Sequence, residues 1–376
     1  MTYDKFGPEY VIRVADPAIG MQGFLVIDNT ALGMGKGGVR MSASITEEEV
    51  YRLARTMTWK NALAGIPFGG AKSGIVWNGG SDELKKQFVQ SFARKIKPFV
   101  PKTYITGPDV NTGEREMQWF VEATKDWRTA TGKPSDLCMV FAGKNKRCGI
   151  PHELGSTGFG VAKVTAVAAK LIKLPLKGAR VAIHGFGNVG TFTYKLLLEK
   201  GVKVVALSDA SAAISSSAGL DSKILMEFIA NKTMLSKYPK RAHIAQENFW
   251  RVPTDILVPA SITDVLNERN KMHINTKLIV EGGNIPMSEK IEKELFKKGV
   301  VIIPDFVANA GGVISSYAEY KGYAPNTMFK LIEEKLTKSA TDVVTRSLST
   351  HKHTREVAMA IAQERVEAAM AKKKRV

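Results

Sequence analysis

Three lysines stand where the chain gives them little cover: Lys36 in GMGKGGVRM, Lys60 in MTWKNALAG and Lys72 in PFGGAKSG. Lys36 and Lys72 read as loop residues, flanked by glycines too bare to shield them. Lys60 falls on the apolar spacing of the helix before it, which runs Val50, Leu53, Ala54, Met57 and then Lys60 and Ala64. Lysine is rarely buried without a partner, so Lys60 either snorkels at the helix end or binds something. Cations gathered at one place attract an anionic substrate. They also depress one another's pKa, which turns a lysine into a base near neutral pH. Asp109, in the Gly/Pro-bounded loop TGPDVNTGE, is an acid able to shuttle protons, or else a cap for the helix that follows.

A second constellation lies downstream. HGFGNVG places Gly185, Gly187 and Gly190 between a short apolar strand and a helix, with Phe186, Asn188 and Val189 between them. In that context the glycines allow a tight turn and close approach of a pyrophosphate to free helix amides. Asp209 closes the next strand at the ~20-residue spacing where an acid bonds the ribose of a dinucleotide. His184, just ahead of Gly185, reads as a packed strand residue. Further strands end in VPAS, EGGN and NAGG, so Ala260, Asn284 and Asn309 face a cofactor or substrate, unless the asparagines only serve turn chemistry.

The elements that must carry these residues follow from periodicity. EYVIRVA and MQGFLVID read as strands, and Thr46 with Glu49 reads as a capping box opening the helix EEEVYRLARTMTWKNALAG. From about residue 178 strands alternate with helices, which implies a parallel sheet with right-handed crossovers. GKNKRCGIPHELGSTG reads as the connection between two halves, and TREVAMAIAQERVEAAMA is a helix long enough to pack back on the first. The expected class is therefore α/β in two domains. A mixed α/β substrate and oligomerisation domain spans 1–150 and is completed by a helix within 351–376; a Rossmann-type NAD(P)-binding domain spans 151–350.

A net charge of +18 admits a nucleic-acid or ribosome partner. The basic residues are dispersed, however, without an aromatic-interleaved stripe, and only the tail AKKKRV is a cluster. A solvated lysine-rich surface is the simpler reading. No apolar run reaches the ~18 residues of a membrane span, and MTYDKFGPEY carries no signal pattern. Cys138 and Cys148 lack zinc-site spacing and are too few for a disulfide framework, which points to a reducing cytoplasm.

With these motifs assembled, the chain resembles the glutamate/leucine/phenylalanine/valine dehydrogenase family along nearly its whole length, and among its members the hexameric glutamate dehydrogenases. The resemblance is carried by GKGGVR, MTWKNALAGIPFGGAKSG, GPDVNT, GSTGFGV, GFGNVG and NAGGVISSYAEY, and by the twelve-residue spacing of Lys60 and Lys72. It implies oxidative deamination of L-glutamate to 2-oxoglutarate and ammonium with NAD or NADP, needing no metal. It implies Lys72 as the catalytic lysine, Asp109 as the proton-transfer acid and Lys60 on the α-carboxylate. Thr157 would lie near the nicotinamide carboxamide, Asn309 would serve both substrate and cofactor, and Lys36 and Ser316 would bind the γ-carboxylate. Ser73 and CGIPHELGSTG depart from the family pattern. The alternatives are a dehydrogenase for another amino acid and, more distantly, a dehydrogenase-shaped protein that binds RNA or ribosomes.

Overall fold

The structure, a computed structural model, describes residues 3–141 and 145–373. Residues 374–376 of the basic tail lie outside the described residues. The first eight strands are β1 Tyr10–Asp16, β2 Met21–Asn29, β3 Gly35–Lys36, β4 Val39–Ser42, β5 Gly69–Val76, β6 Tyr104–Ile105, β7 Cys138–Phe141 and β8 Asn145–Cys148. Helices α1 Glu47–Ala64, α2 Asp82–Lys95 and α3 Glu114–Thr124 run among them. Five of these strands lie in the order β1-β2-β5-β3-β6, with β4 also on β5. The β1, β2 and β5 pairings are antiparallel, whereas β3 and β4 run parallel to β5. A core of Leu25, Ile27, Ala71, Ile75, Phe92, Tyr104 and Phe120 fills the α2/α3 side.

Chemistry at the chain ends explains where α1 starts and stops. Thr46 Oγ1 accepts from the Glu49 amide at 3.2 Å, and Gly65 ends the helix in the left-handed region at φ 64°. Only half of the expected capping box forms, because the Glu49 carboxylate pairs with Arg40 at 2.8 Å instead. The buried face also differs from the expected stripe. It runs through Val50, Tyr51, Ala54, Thr58, Asn61 and Ala62, leaving Leu53, Met57 and Lys60 half-buried beside it.

The second unit is a doubly wound sheet. It contains α4 Ser156–Leu171, β9 Arg180–His184, α5 Asn188–Leu198, β10 Lys203–Ser208, β11 Ala213–Ser215, α6 Ser222–Ala230, β12 His243–Ile244, β13 Ile256–Pro259, β14 Leu278–Val280, α7 Glu289–Lys297, β15 Val301–Ile303 and α8 Asp305–Ala308. The strand order is β12-β11-β10-β9-β13-β14-β15, parallel from β10 to β15 and antiparallel at β11 and β12. Chain order reverses at β9, the place where an open α/β sheet opens a ligand crevice at its strand C-termini.

Three helices finish the chain: α9 Gly311–Lys321, α10 Pro325–Thr350 and α11 Thr354–Lys373. The first unit holds the chain up to Leu154, then Val313–Leu331, then the chain from Ala360; the second holds Gly155–Gly312 and Ile332–Met359. Residues 313–331, read from sequence as part of the second domain, thus pack in the first.

The cysteines also differ from the sequence reading. Cys138 and Cys148 face one another across the β7–β8 hairpin and form a disulfide. Strand pairing, which a count of cysteines does not convey, brings them together, so they give no argument for a reducing compartment. Among the described residues no helix is long and apolar enough to cross a membrane.

Candidate active site

Lys36 and Lys72 lie on strands, not in bare loops. Lys36 pairs in register with Gly70 of β5, so Lys36 and Lys72 emerge on one face of the sheet from adjacent strands. The glycines between them serve backbone packing. A Cβ on Gly37 would sit 1.7 Å from the Ala71 carbonyl, and one on Gly70 would sit 2.0 Å from Thr58 Oγ1 of α1. Ser73, a departure from the family pattern, has its own role. Its hydroxyl lies 2.9 Å from Tyr104 Oη, which donates to the Gly37 carbonyl at 2.9 Å and ties β5 to β3 and β6.

Both lysines are buried, Lys36 to 3% and Lys72 to 7% exposure. The Lys72 ammonium pairs with Asp109 Oδ2. Arg40 holds the other oxygen, Oδ1, at 3.3 Å. Asp109 caps no helix; the N-cap of α3 is Gly113. The Asp109 loop is pinned by Thr112, whose hydroxyl donates to the Val39 carbonyl at 2.7 Å and accepts from the Asp109 amide at 2.9 Å. Burial lowers the Lys72 pKa against the pull of Asp109, and Arg40 adds to the lowering. Asp109 is held below the usual carboxylate range although burial opposes it, because Lys72 and Arg40 both favour the anion. The sequence reading assigned the depression of Lys72 to burial and to Lys36 and Lys60; burial does come first, but the leading cation is Arg40.

Lys36 differs in kind. Its ammonium donates to the Thr106 carbonyl at 2.9 Å, and among the described residues no carboxylate forms a direct ion pair with it. Burial, opposed by Glu319 and assisted by Lys72 and Lys133, lowers it to about 7. An ammonium has three N–H donors, so two remain for an incoming anion. Lys60 is half-buried near the end of α1, and Ser316 is half-buried on α9 in the first unit. Lys133, Glu319 and Arg40 escaped the sequence reading. VRMS, one charge between apolar residues, is the signal that could have marked Arg40; nothing local marks the Lys133–Glu319 pair.

The second unit carries the nucleotide residues. Gly185 has φ +101°, and a Cβ there would lie 2.8 Å from Ala260 and Ser261. On Gly190 a Cβ would meet the Gly185 carbonyl at 1.9 Å. Gly187 is the opposite case: nothing lies within 4 Å of its Cβ position. That open space, beside an α5 N-terminus capped by no side chain, fits a pyrophosphate. Asn188 is exposed at the same terminus, while Val189 and Phe186 are half-buried, Phe186 packing edge-on against Tyr194. Thr157 lies in the first turn of α4, whose N-terminus also has no side-chain cap. His184 stacks on Trp250 and hydrogen-bonds Ser261 at 2.7 Å; burial lowers it to about 4, so it is neutral and packed.

Asp209 does not reach outward as expected. Its carboxylate accepts from the Ser211 amide and hydroxyl and from the Ala212 and Leu235 amides at 2.6–2.9 Å. These bonds hold its pKa low against burial. Asn309 Nδ2 donates to Asn284 Oδ1 at 2.9 Å and to the Gly283 carbonyl at 3.2 Å, which brings the two asparagines together.

An ion cluster supports that turn. Arg355, at the start of α11, binds Glu292 at 2.7 Å, Glu281 at 2.9 Å and Asp305 at 3.1 Å, all buried. Burial, then Glu292 and Asp305, push the Glu281 carboxyl well above its usual range. Arg355→Met is expected to cost about 3–5 kcal/mol in denaturant unfolding, since it strands buried acids without their cation. Glu281→Gln, which keeps the acceptor and loses only a charge that burial already suppresses, should cost far less. A loss under about 1 kcal/mol for Arg355→Met would contradict this account.

Comparison with known proteins agrees with this geometry. The family profile described as Glutamate/Leucine/Phenylalanine/Valine dehydrogenase matches residues 148–374, and that of the Glu/Leu/Phe/Val dehydrogenase dimerisation domain matches 8–126. An NADP-specific glutamate dehydrogenase of Saccharolobus shibatae is 35% identical over 96% of this chain and 89% of its own. An NAD-specific glutamate dehydrogenase of Peptoniphilus asaccharolyticus is 34% identical over 80% of this chain and 72% of its own. Among solved structures, the hetero-hexameric glutamate dehydrogenase of Thermus thermophilus in its Leu-bound form superposes with a TM-score of 0.81 at 26% identity, covering 96% of this chain and 89% of that one.

Proposed function

Because the chain belongs to the glutamate/leucine/phenylalanine/valine dehydrogenase family, we propose that it oxidises L-glutamate to 2-oxoglutarate and ammonium, and runs the reverse, with NAD or NADP. The observation that carries glutamate as substrate is Lys36: a buried ammonium with donors to spare and, among the described residues, no carboxylate paired with it. A substrate's distal carboxylate supplies the missing partner, with Ser316 beside it. Lys60 takes the α-carboxylate. When bound, the nicotinamide accepts or returns the hydride at the substrate's Cα. Lys72, as the free amine, takes a proton from the water that adds to the substrate's imine carbon. Asp109 receives or returns protons at its Oδ2, and Arg40 keeps that carboxylate in place. The residues fit to hold the cofactor are Gly185, Phe186, Gly187, Asn188, Val189 and Gly190 at the pyrophosphate, with Thr157, Ala260, Asn284 and Asn309. An initial-rate panel of amino acids with both coenzymes tests the assignment. Glutamate is expected to lead; no turnover of glutamate with either coenzyme overturns it.

Coenzyme choice is proposed to rest on more than Asp209. Its four hydrogen bonds within the turn support a role in shaping the loop rather than reading the ribose. Asp209→Ser should therefore change the NADP/NAD ratio of kcat/KM by less than about tenfold while lowering Tm, since a buried bond network is lost. A shift toward NADP beyond a hundredfold would return the carboxylate to the ribose. The dimerisation-domain match supports self-association, and we propose a homohexamer.

A further inference from the structure

Lys36 is not isolated inside the first unit. The Thr106 carbonyl that accepts its ammonium at 2.9 Å also accepts the Thr131 amide at 3.1 Å. The next residue, Gly132, donates its amide to Glu319 Oε2 at 2.7 Å, and Ile150 donates a second amide to the same oxygen at 3.0 Å. The other oxygen of Glu319 pairs with Lys133 at 2.6 Å. Glu319 and Lys133 are both at 0% exposure. The Lys133 ammonium also sits 3.6 Å over the Trp127 ring and donates to the Ala130 carbonyl. Glu319 stands one helical turn after Ser316 on α9, so the two share a face. A carboxylate from α9 thus clamps Gly132, Lys133 and Ile150, and Gly132 follows directly on Thr131, whose amide shares the carbonyl on which Lys36 rests.

We infer that Glu319 and Lys133 are positioning residues for Lys36: the buried pair fixes where the lysine and Ser316 stand and sets the field in which a substrate's distal carboxylate is held. The inference rests on the reading that Lys36 takes that carboxylate. The charged groups around Lys36 are Glu319 on α9, Lys72 on β5, Lys133 two residues past Thr131 and, farther along, His152. Glu319 is the one anion among them, and it favours the protonated form of Lys36; Lys133 works in the opposite sense. An inert clamp and a tuning pair therefore predict different behaviour on removing each charge alone.

The test uses the full-length enzyme and glutarate, a competitive probe that carries both carboxylates and no amine. Its Ki is measured against pH for the wild type, Glu319→Gln, Lys133→Met, Lys36→Met and the double variant Glu319→Gln/Lys133→Met. The pH above which glutarate binding falls should move down by about one unit in Glu319→Gln and up by a similar amount in Lys133→Met. The double variant, which loses both charges, should return toward the wild type, and it decides the question if Glu319→Gln fails to fold. Profiles that superimpose on the wild type, or single variants that move in the same direction, overturn the inference. Competitive acetylation of the Lys36 amine, read by peptide mass spectrometry across pH, reports the same shifts without reference to activity. If Lys36→Met leaves the glutarate Ki unchanged, the distal-carboxylate reading fails while the labelling still tests the pair. If Lys36→Met abolishes binding and neither single variant moves the profile, the pair alone is refuted.

Discussion

Lys72→Ala is expected to lower turnover at least about a thousandfold while leaving coenzyme binding intact. An exposed lysine titrates near 10.4, so at pH 7 almost none is the free amine. Burial moves Lys72 downward, and Arg40 adds to that, while Asp109 holds part of the charge back. The amine form grows as pH rises, so kcat for glutamate oxidation, read with Lys36 held by the bound distal carboxylate, should climb on the acid side with a midpoint below that of an exposed lysine. General acid–base catalysis alone is worth about 10²–10⁴-fold, and losing the fixed charge adds to it. The protein should still fold, because Asp109 keeps Arg40 as its partner at 3.3 Å. The coenzyme control is independent, since the glycine turn belongs to the other unit. Lys72→Arg should fail almost as badly, because a guanidinium does not give up its proton in proteins. Turnover above about a tenth of the wild type in Lys72→Arg would leave Lys72 as a fixed charge and not a base.

The second large effect concerns substrate choice. A buried cation left without its carboxylate costs ~2–5 kcal/mol, which is from about thirtyfold to a few thousandfold at about 1.4 kcal/mol per decade. Glutamate should exceed leucine by that factor in kcat/KM, and Lys36→Leu should erase most of the gap. The loss should appear mainly in KM for glutamate, because the distal carboxylate takes no part in the chemistry and is bound alike in ground and transition states. A wild-type enzyme that prefers leucine or phenylalanine would remove Lys36 from this role.

What the sequence conveyed of this site, and what it withheld, follows from distance along the chain. The nucleotide turn was legible because all of its parts lie within seven residues between one strand and one helix. The strands and α1 were legible to within a residue or two because periodicity and caps are local. The setting of Lys36 and Lys72 was misread for the same reason. Glycines beside a lysine look like a loop, and only the partner strand shows that they let β3, β5 and α1 approach closely. Lys60 was placed on a buried stripe that the actual face of α1 passes by, because helical spacing alone does not say which neighbours arrive. The pairs Lys133–Glu319 and Arg355 with Glu281 join residues far apart in sequence. No local pattern foretells such a pairing. Asp209 stood at the expected spacing, but its bond to the Leu235 amide depends on a loop that closes from downstream.

The threading of the first unit bears on how the protein is made. Lys133, fully buried, owes its counter-charge to Glu319, and the carbonyls of Ala62 and Leu63 receive Arg365 from α11. A ribosome adding about 5–20 residues per second delivers Glu319 on the order of ten seconds or more after Lys133 has emerged. During that interval the amino-terminal sheet already exists as sequence, yet the place for Lys133 lacks the anion that makes its burial tolerable. Burial of Lys133 as a paired ammonium therefore waits for α9. Completion of the catalytic lysine shelf is in this way a late event in the life of each chain, coupled to the arrival of its last helices and not to the order in which its motifs are written.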